Sequence, residues 1–185
     1  MSPPASVGGD ERLRLFCALT LPDESLAALE GWQRDELVAE ARPVRRDQLH
    51  LTLAFLGSRP AADRPPIAEA LRGAVASVEG GIVLRPVRYR ETRSVGLLVL
   101  DDDEGRASRL ADELHSRLEQ LGVYEREARP WLPHVTVLRF RQPPRLRPDL
   151  PRLGSFSPSG AAVYHSVLRP TGAQYEVLDR IALGG

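Results

Sequence analysis

The sequence predicts an α+β protein built as two similar lobes, each a small antiparallel sheet with helices outside, facing each other across a cleft. Two observations lead there. Stretches of strand-like alternation are interleaved with stretches of helical periodicity. In addition, the tetrad His50-Leu51-Thr52-Leu53 returns eighty-four positions later as His134-Val135-Thr136-Val137, so two strands each present one histidine and one threonine. A length of 185 residues suits one compact domain with a sizeable core. Residues 12–185 read as that domain, and residues 1–11, small and rich in proline and glycine, as a flexible tail.

Taken in order, residues 12–21 read as a strand closed by Pro22. Asp23 is placed to cap a helix running to about Ala41, with Leu26, Leu29, Trp32, Leu37 and Val38 as its core stripe. Pro43 stops it. The first tetrad strand follows and ends at Gly57. Side chains alternate along a strand, so His50 and Thr52 share one face while Leu49, Leu51, Leu53 and Phe55 share the other. Small Ala54 leaves room beside the histidine. Residues 58–63 form a loop, and Pro65-Pro66 open a second helix to about Val78, ended by Gly80-Gly81.

Segments 82–89 and 94–100 read as two strands around an Arg- and Glu-rich turn. The acidic run Asp101-Asp102-Asp103-Glu104 suits a helix start, where carboxylates meet the positive end of the dipole. That helix spans about 104–121, with Leu110, Leu114, Leu118 and Leu121 inward and His115 as a solvated or edge residue. Gly122 ends it, and the second tetrad strand follows, with His134 and Thr136 on one face and Val135 and Val137 on the other. Residues 142–158, dense in proline and arginine, read as a mobile surface loop and candidate lid. Segments 161–168 and 175–182 close the chain as a hairpin, with His165 in a structural role.

Paired histidines and threonines suit one kind of chemistry in particular. An imidazole titrates at about 6.5, so of two facing one cleft, one can accept a proton while the other gives one. Threonine hydroxyls can donate to anionic oxygens. A phosphodiester needs a base for the incoming oxygen, an acid for the leaving oxygen and donors for the non-bridging oxygens.

Composition narrows the classes further. Twenty-five basic and 25 acidic residues give zero formal charge, which disfavours a broad RNA-coating role. Every basic residue is arginine and none is lysine, and guanidiniums favour bidentate phosphate contacts where they converge. Cys17 is the single cysteine, which excludes an intramolecular disulfide and reads as a small buried hydrophobe. Neither a signal peptide nor an 18-residue apolar run is present, so a cytoplasmic protein with no membrane partner is expected. The tetrads lack the carboxylates and close ligand spacing of a metal site, so no metal and no cofactor are expected.

At these residues the chain resembles the two-histidine phosphoesterases, and within them the RNA 2′,3′-cyclic phosphodiesterases, also called LigT-like, ThpR-like or 2′-5′ RNA ligase-like proteins. The likeness covers roughly residues 12–183. It rests on residues 14–19 with Leu21-Pro22, on Leu49–Gly57, on Arg129–His134, and on Ser166–Pro170 with Tyr175–Leu178. Two departures are Ala54, where the family often has a basic residue, and Leu138, where alanine is common. The resemblance implies a bilobed, pseudo-twofold fold and hydrolysis of RNA 2′,3′-cyclic phosphate ends to 2′-phosphomonoesters, with 2′-5′ joining of RNA ends as the reverse reaction. It implies His50 as proton donor, His134 as proton acceptor, and Thr52 and Thr136 on the phosphate oxygens. Arg139 matches a family arginine. Simple alternation turns it away from the cleft, and only a bend or bulge would bring it in. The expected partner is an RNA or oligonucleotide end bearing the cyclic phosphate, bound by a monomer. The residues leave open another small cyclic phosphate, a 2′-5′ oligonucleotide, or a non-catalytic nucleotide- or RNA-binding module.

Overall fold

The computed structural model describes residues 11–37 and 41–184. The tail expected over 1–11 lies, apart from Glu11, outside the described residues, as do Val38 and the last part of the helix expected to reach Ala41. In chain order the elements are β1 (Arg12–Thr20), α1 (Asp23–Glu36), β2 (Arg42–Pro43), β3 (Leu51–Pro60), α2 (Arg64–Ala76), β4 (Leu84–Glu91), β5 (Val95–Asp102), α3 (Arg106–Gln120), β6 (His134–Arg139), β7 (Gly160–Arg169) and β8 (Gly172–Ile181).

These strands make two four-stranded sheets, β3-β1-β7-β8 and β2-β6-β5-β4, with every pairing antiparallel. The α+β, two-sheet expectation holds. Each sheet carries one tetrad strand: β3 lies at the edge of the first, and β6 lies inside the second, between β2 and β5. The first sheet joins early residues to late ones, because β1 sits between β3 and β7.

The helices bury the stripes expected of them. Leu29, Trp32 and Leu37 are buried from α1 and its C-cap, and Leu110, Leu114 and Leu118 from α3. Each fully buried leucine of this kind contributes about 1.5–3 kcal/mol by leaving water. Leu121 does not join them and is 44% exposed. It caps α3 just before Gly122 turns left-handed at φ 68°, so it has passed the buried face. Asp23 is the first helical residue rather than the cap, and its carboxylate accepts instead from Arg46 at 3.0 Å. Asp102 does what the acidic run suggests: its two oxygens accept from the N–H groups of Ala107 and Ser108 at the start of α3, at 3.1 and 2.7 Å.

Residues 142–158 are not a lid. Phe156 is buried and exchanges two 2.9 Å backbone hydrogen bonds with Leu84 of β4. The indole of Trp32 donates to the Asp149 carbonyl at 2.6 Å, and Glu91 accepts from the Arg145 and Leu146 N–H groups. The segment is strapped to β4 and α1, and none of its residues lines the cleft between the sheets. Among the described residues no helix is long and apolar enough to cross a membrane.

Candidate active site

Leu49, Leu51 and Leu53 anchor the first tetrad by inserting into the core, which leaves His50 and Thr52 half-buried on the opposite, cleft-facing side of β3. There the His50 ring meets an aromatic cluster from the neighbouring strands. Its centroid is 5.0 Å from Phe16 of β1 and 5.5 Å, edge-on, from Tyr175 of β8. His50 Nε2 lies 3.0 Å from the Thr52 hydroxyl, which leaves Nδ1 for a hydrogen bond to the Gln48 backbone. Burial pulls the His50 pKa down to about 4. The Gln48 bond opposes this, and the positive charges of Arg139 and His134 reinforce it. Without ligand His50 is therefore neutral at neutral pH.

The second tetrad repeats the arrangement on β6. Val135 and Val137 are fully buried, while His134 and Thr136 face the cleft. His134 Nδ1 donates to the carbonyl of Leu132, two residues back, at 2.7 Å, so Nε2 is the ring nitrogen left without this bond. The two imidazoles are close enough for their charges to interact.

Both tetrad strands carry a β-bulge one residue after the threonine. On β3, Thr52 pairs with Ala18 and Ala54 with Cys17, so Leu53 has no partner. On β6, Thr136 pairs with Leu97 and Leu138 with Gly96, so Val137 has none. An extra residue reverses the alternation that follows it. Ala54 and Leu138 accordingly turn into the core. Phe55, expected on the apolar face, is 49% exposed in the cleft with the Arg14 guanidinium 4.8 Å over its ring. Arg139, which simple alternation turns away, lines the cleft with the histidines.

The bulges also aim two backbone carbonyls at helices. His115 Nε2 donates to the Leu53 carbonyl at 2.8 Å while its ring stacks on Tyr124, and the side chain is 4% exposed. The expectation of a solvated His115 fails because that carbonyl needs a buried donor. Gln33 of α1, also buried, donates to the carbonyls of Val137 at 2.7 Å and Val44 at 3.0 Å. Sequence reasoning passed over Gln33. The available signal was an amide beside Leu29 and Trp32 on a helix's buried stripe.

Together these elements enclose a cleft of about 1400 Å3, lined by His50, Thr52, His134, Thr136, Arg139 and Tyr175 among others. Trp131, from the lead-in to the second tetrad, donates through its indole N–H to the Thr52 carbonyl at 3.0 Å and so ties the two motifs together. His165 does not line the cleft; it sits on β7 with Nδ1 3.7 Å from the Glu176 carboxylate. Cys17 is fully buried, and burial pushes its thiol up to about 12, which leaves it inert. Among the described residues no group of three or more His, Cys, Asp and Glu side chains could hold a metal ion.

Two sheets that each offer a histidine and a threonine to one cleft define a two-histidine phosphoesterase. The chain belongs to the 2′-5′ RNA ligase superfamily, which matches residues 21–163. It is 34% identical over 184 residues to an RNA 2′,3′-cyclic phosphodiesterase of Thermus thermophilus, covering 94% of this chain and 91% of the relative. A second RNA 2′,3′-cyclic phosphodiesterase, from Escherichia coli, is 34% identical over 131 residues, 70% of this chain and 73% of the relative. The crystal structure of E. coli LigT complexed with 3′-AMP superposes with a TM-score of 0.78 at 27% identity, covering 95% of this chain and all of that one.

Proposed function

We propose that this chain is an RNA 2′,3′-cyclic phosphodiesterase that opens the cyclic phosphate to a 2′-phosphomonoester, with His50 and His134 dividing the proton transfers. The observation that carries the reading is the convergence of both histidines and both threonines on one cleft from two different sheets. In the forward reaction a water attacks phosphorus and His134 Nε2 takes its proton. The bond to the 3′ oxygen breaks, and His50 Nε2 supplies the proton that oxygen needs. Thr52 and Thr136 donate to the non-bridging oxygens, and Arg139 offsets the charge that builds on them. The same steps reversed join a 5′-hydroxyl end to the cyclic phosphate as a 2′-5′ linkage. Residues 12–185 act as one unit, in the cytoplasm, as a monomer and without metal or cofactor.

Burial favours the opposite division of labour. A ring held neutral with its pKa near 4 is ready to accept a proton, not to give one. For His50 to be the donor, the anionic phosphodiester must raise its pKa on binding. The reading is tested with a panel of nucleoside 2′,3′-cyclic phosphates and short RNAs ending in one, assayed in excess chelator with products resolved as 2′- or 3′-monoesters. The expected result is chelator-resistant formation of 2′-monoesters. Loss of activity restored by a divalent cation, or RNA binding without turnover, would overturn it.

A further inference from the structure

Eleven of the 25 arginines of this charge-balanced chain sit in ion pairs among the described residues, and the second sheet's wall of the cleft gathers four that do not. Arg42, Arg88, Arg90 and Arg139 line the cleft, and none has a carboxylate within 4.0 Å among the described residues. The carboxylates lining the cleft, Asp112, Glu125 and Glu127, come from α3 and the segment after it, not from this sheet. Asp112 and Glu127 are bridged to Arg126 and Arg129.

The sheet register sets the position of two of these cations. Arg88 faces Val99, which faces His134; Arg90 faces Leu97, which faces Thr136. Directly paired residues share a face of the sheet, so Arg88 and Arg90 stand on the catalytic face, two strands out from the tetrad. Two spacings of 4.7–4.9 Å root them roughly 10 Å from His134 and Thr136. They are exposed, on the outermost strand, two residues apart and therefore roughly 6.6 Å from each other along it. Arg139 already serves the reacting phosphate, and the cleft of about 1400 Å3 exceeds the roughly 300–1,000 Å3 usual for a small-molecule site. A row of unpaired guanidiniums beyond the reacting group, in a cleft larger than one nucleotide needs, suits the backbone of a single strand.

Building on the function proposed above, we propose that Arg88 and Arg90 form a strand-binding subsite that grips phosphodiesters 5′ of the reacting cyclic phosphate. The preferred ligand is then an RNA chain rather than a cyclic mononucleotide.

The test uses the full chain and the double variant Arg88→Gln/Arg90→Gln, whose exposed side chains leave folding intact, as a thermal melt verifies. A fluorescent ten-nucleotide RNA with a 3′-terminal phosphate is titrated by anisotropy across a salt series. Each lost phosphate contact lowers the slope of log affinity against log salt by about 0.7, so the variant should lose about 1.4. In parallel, the ratio of kcat/KM for an RNA ending in a cyclic phosphate to that for a cyclic mononucleotide should fall at least tenfold. An unchanged salt slope would overturn the subsite, as would an equal loss on both substrates. If wild type binds the RNA with the expected slope but turns over neither cyclic phosphate, the catalytic reading fails and the subsite stands.

Discussion

The indole N–H of Trp131 donates to the carbonyl oxygen of Thr52 at 3.0 Å, so the approach to one histidine–threonine motif holds the backbone of the other. The two residues lie 79 positions apart and belong to different halves of the site. Thr52 sits on an edge strand, where one side of the backbone has no neighbouring strand to bond. The bond therefore satisfies that carbonyl and also sets how far apart the two threonines stand.

Trp131→Phe keeps most of the ring and removes the donor. A lost hydrogen bond of this kind costs about 1 kcal/mol of stability, read as a lower urea midpoint with an unchanged slope. A larger fractional loss in kcat/KM than in folding stability is expected, because the spacing of the motifs changes. Unaltered kinetics would mean that the spacing is held elsewhere.

His115→Ala leaves the Leu53 carbonyl buried without a donor and opens a gap beside Tyr124. The expected cost is at least about 1–3 kcal/mol, measured by chemical denaturation. Gln33→Ala should behave alike at Val137, whereas Gln33→Glu replaces the donor by an acceptor and should be worse. Near-wild-type stability in both alanine variants would show that the bulges hold without their helix donors. His165→Ala, outside the cleft, is the appropriate neutral control.

The lowered pKa of His50 makes anion binding dependent on pH. Between about 4 and 6.5 the free protein keeps this ring neutral, while an anion beside it favours the charged form. Sulfate, whose own charge is constant here, should bind more tightly as pH falls from 7 to 5, with proton uptake visible by calorimetry in buffers of different ionisation enthalpy. No uptake would make His50 the proton acceptor. The sign for folding is the reverse. The unfolded chain protonates this ring below about 6.5 and the folded one only near 4, so ligand-free stability falls across that window.

Replacing either His50 or His134 by alanine should cost about 10²–10⁴-fold in rate, the usual loss for a general acid or base. The double variant should be scarcely worse than the worse single one, since in the proposed reaction the two serve a single phosphorus. In that reaction Thr52→Ala and Thr136→Ala would each remove a bond to a charged oxygen, worth about 1.5–3 kcal/mol or roughly 10- to 150-fold in kcat/KM. Losses that multiply in the double histidine variant would place the two rings at separate phosphates.

Much of this site was legible because alternation is local. Leu49, Leu51 and Leu53 against His50 and Thr52, and Val135 and Val137 against His134 and Thr136, follow from period two within a few residues. What escaped depends on pairing between distant strands. A bulge exists only when β3 meets β1 or β6 meets β5, so the cleft positions of Phe55 and Arg139 could not be derived from their own segments. His115 and Gln33 followed the same rule, because the carbonyls they serve are aimed by those bulges. Residues 142–158 read as a loop because they form no ladder, and only the fold shows them fastened to Leu84 and Trp32. Arg88 and Arg90 become neighbours of the tetrad only through the register of three strands.

The sheet that holds His50 is stitched from residues 12–60 and 160–181, whereas the sheet that holds His134 has all its strands by residue 139. A nascent chain can therefore assemble the His134 half while the His50 half still lacks two strands. Tyr164 and Tyr175, which with Phe16 wall in the His50 ring, belong to those late strands. Chain order therefore leaves the aromatic wall of the His50 ring among the last parts of the cleft to be completed.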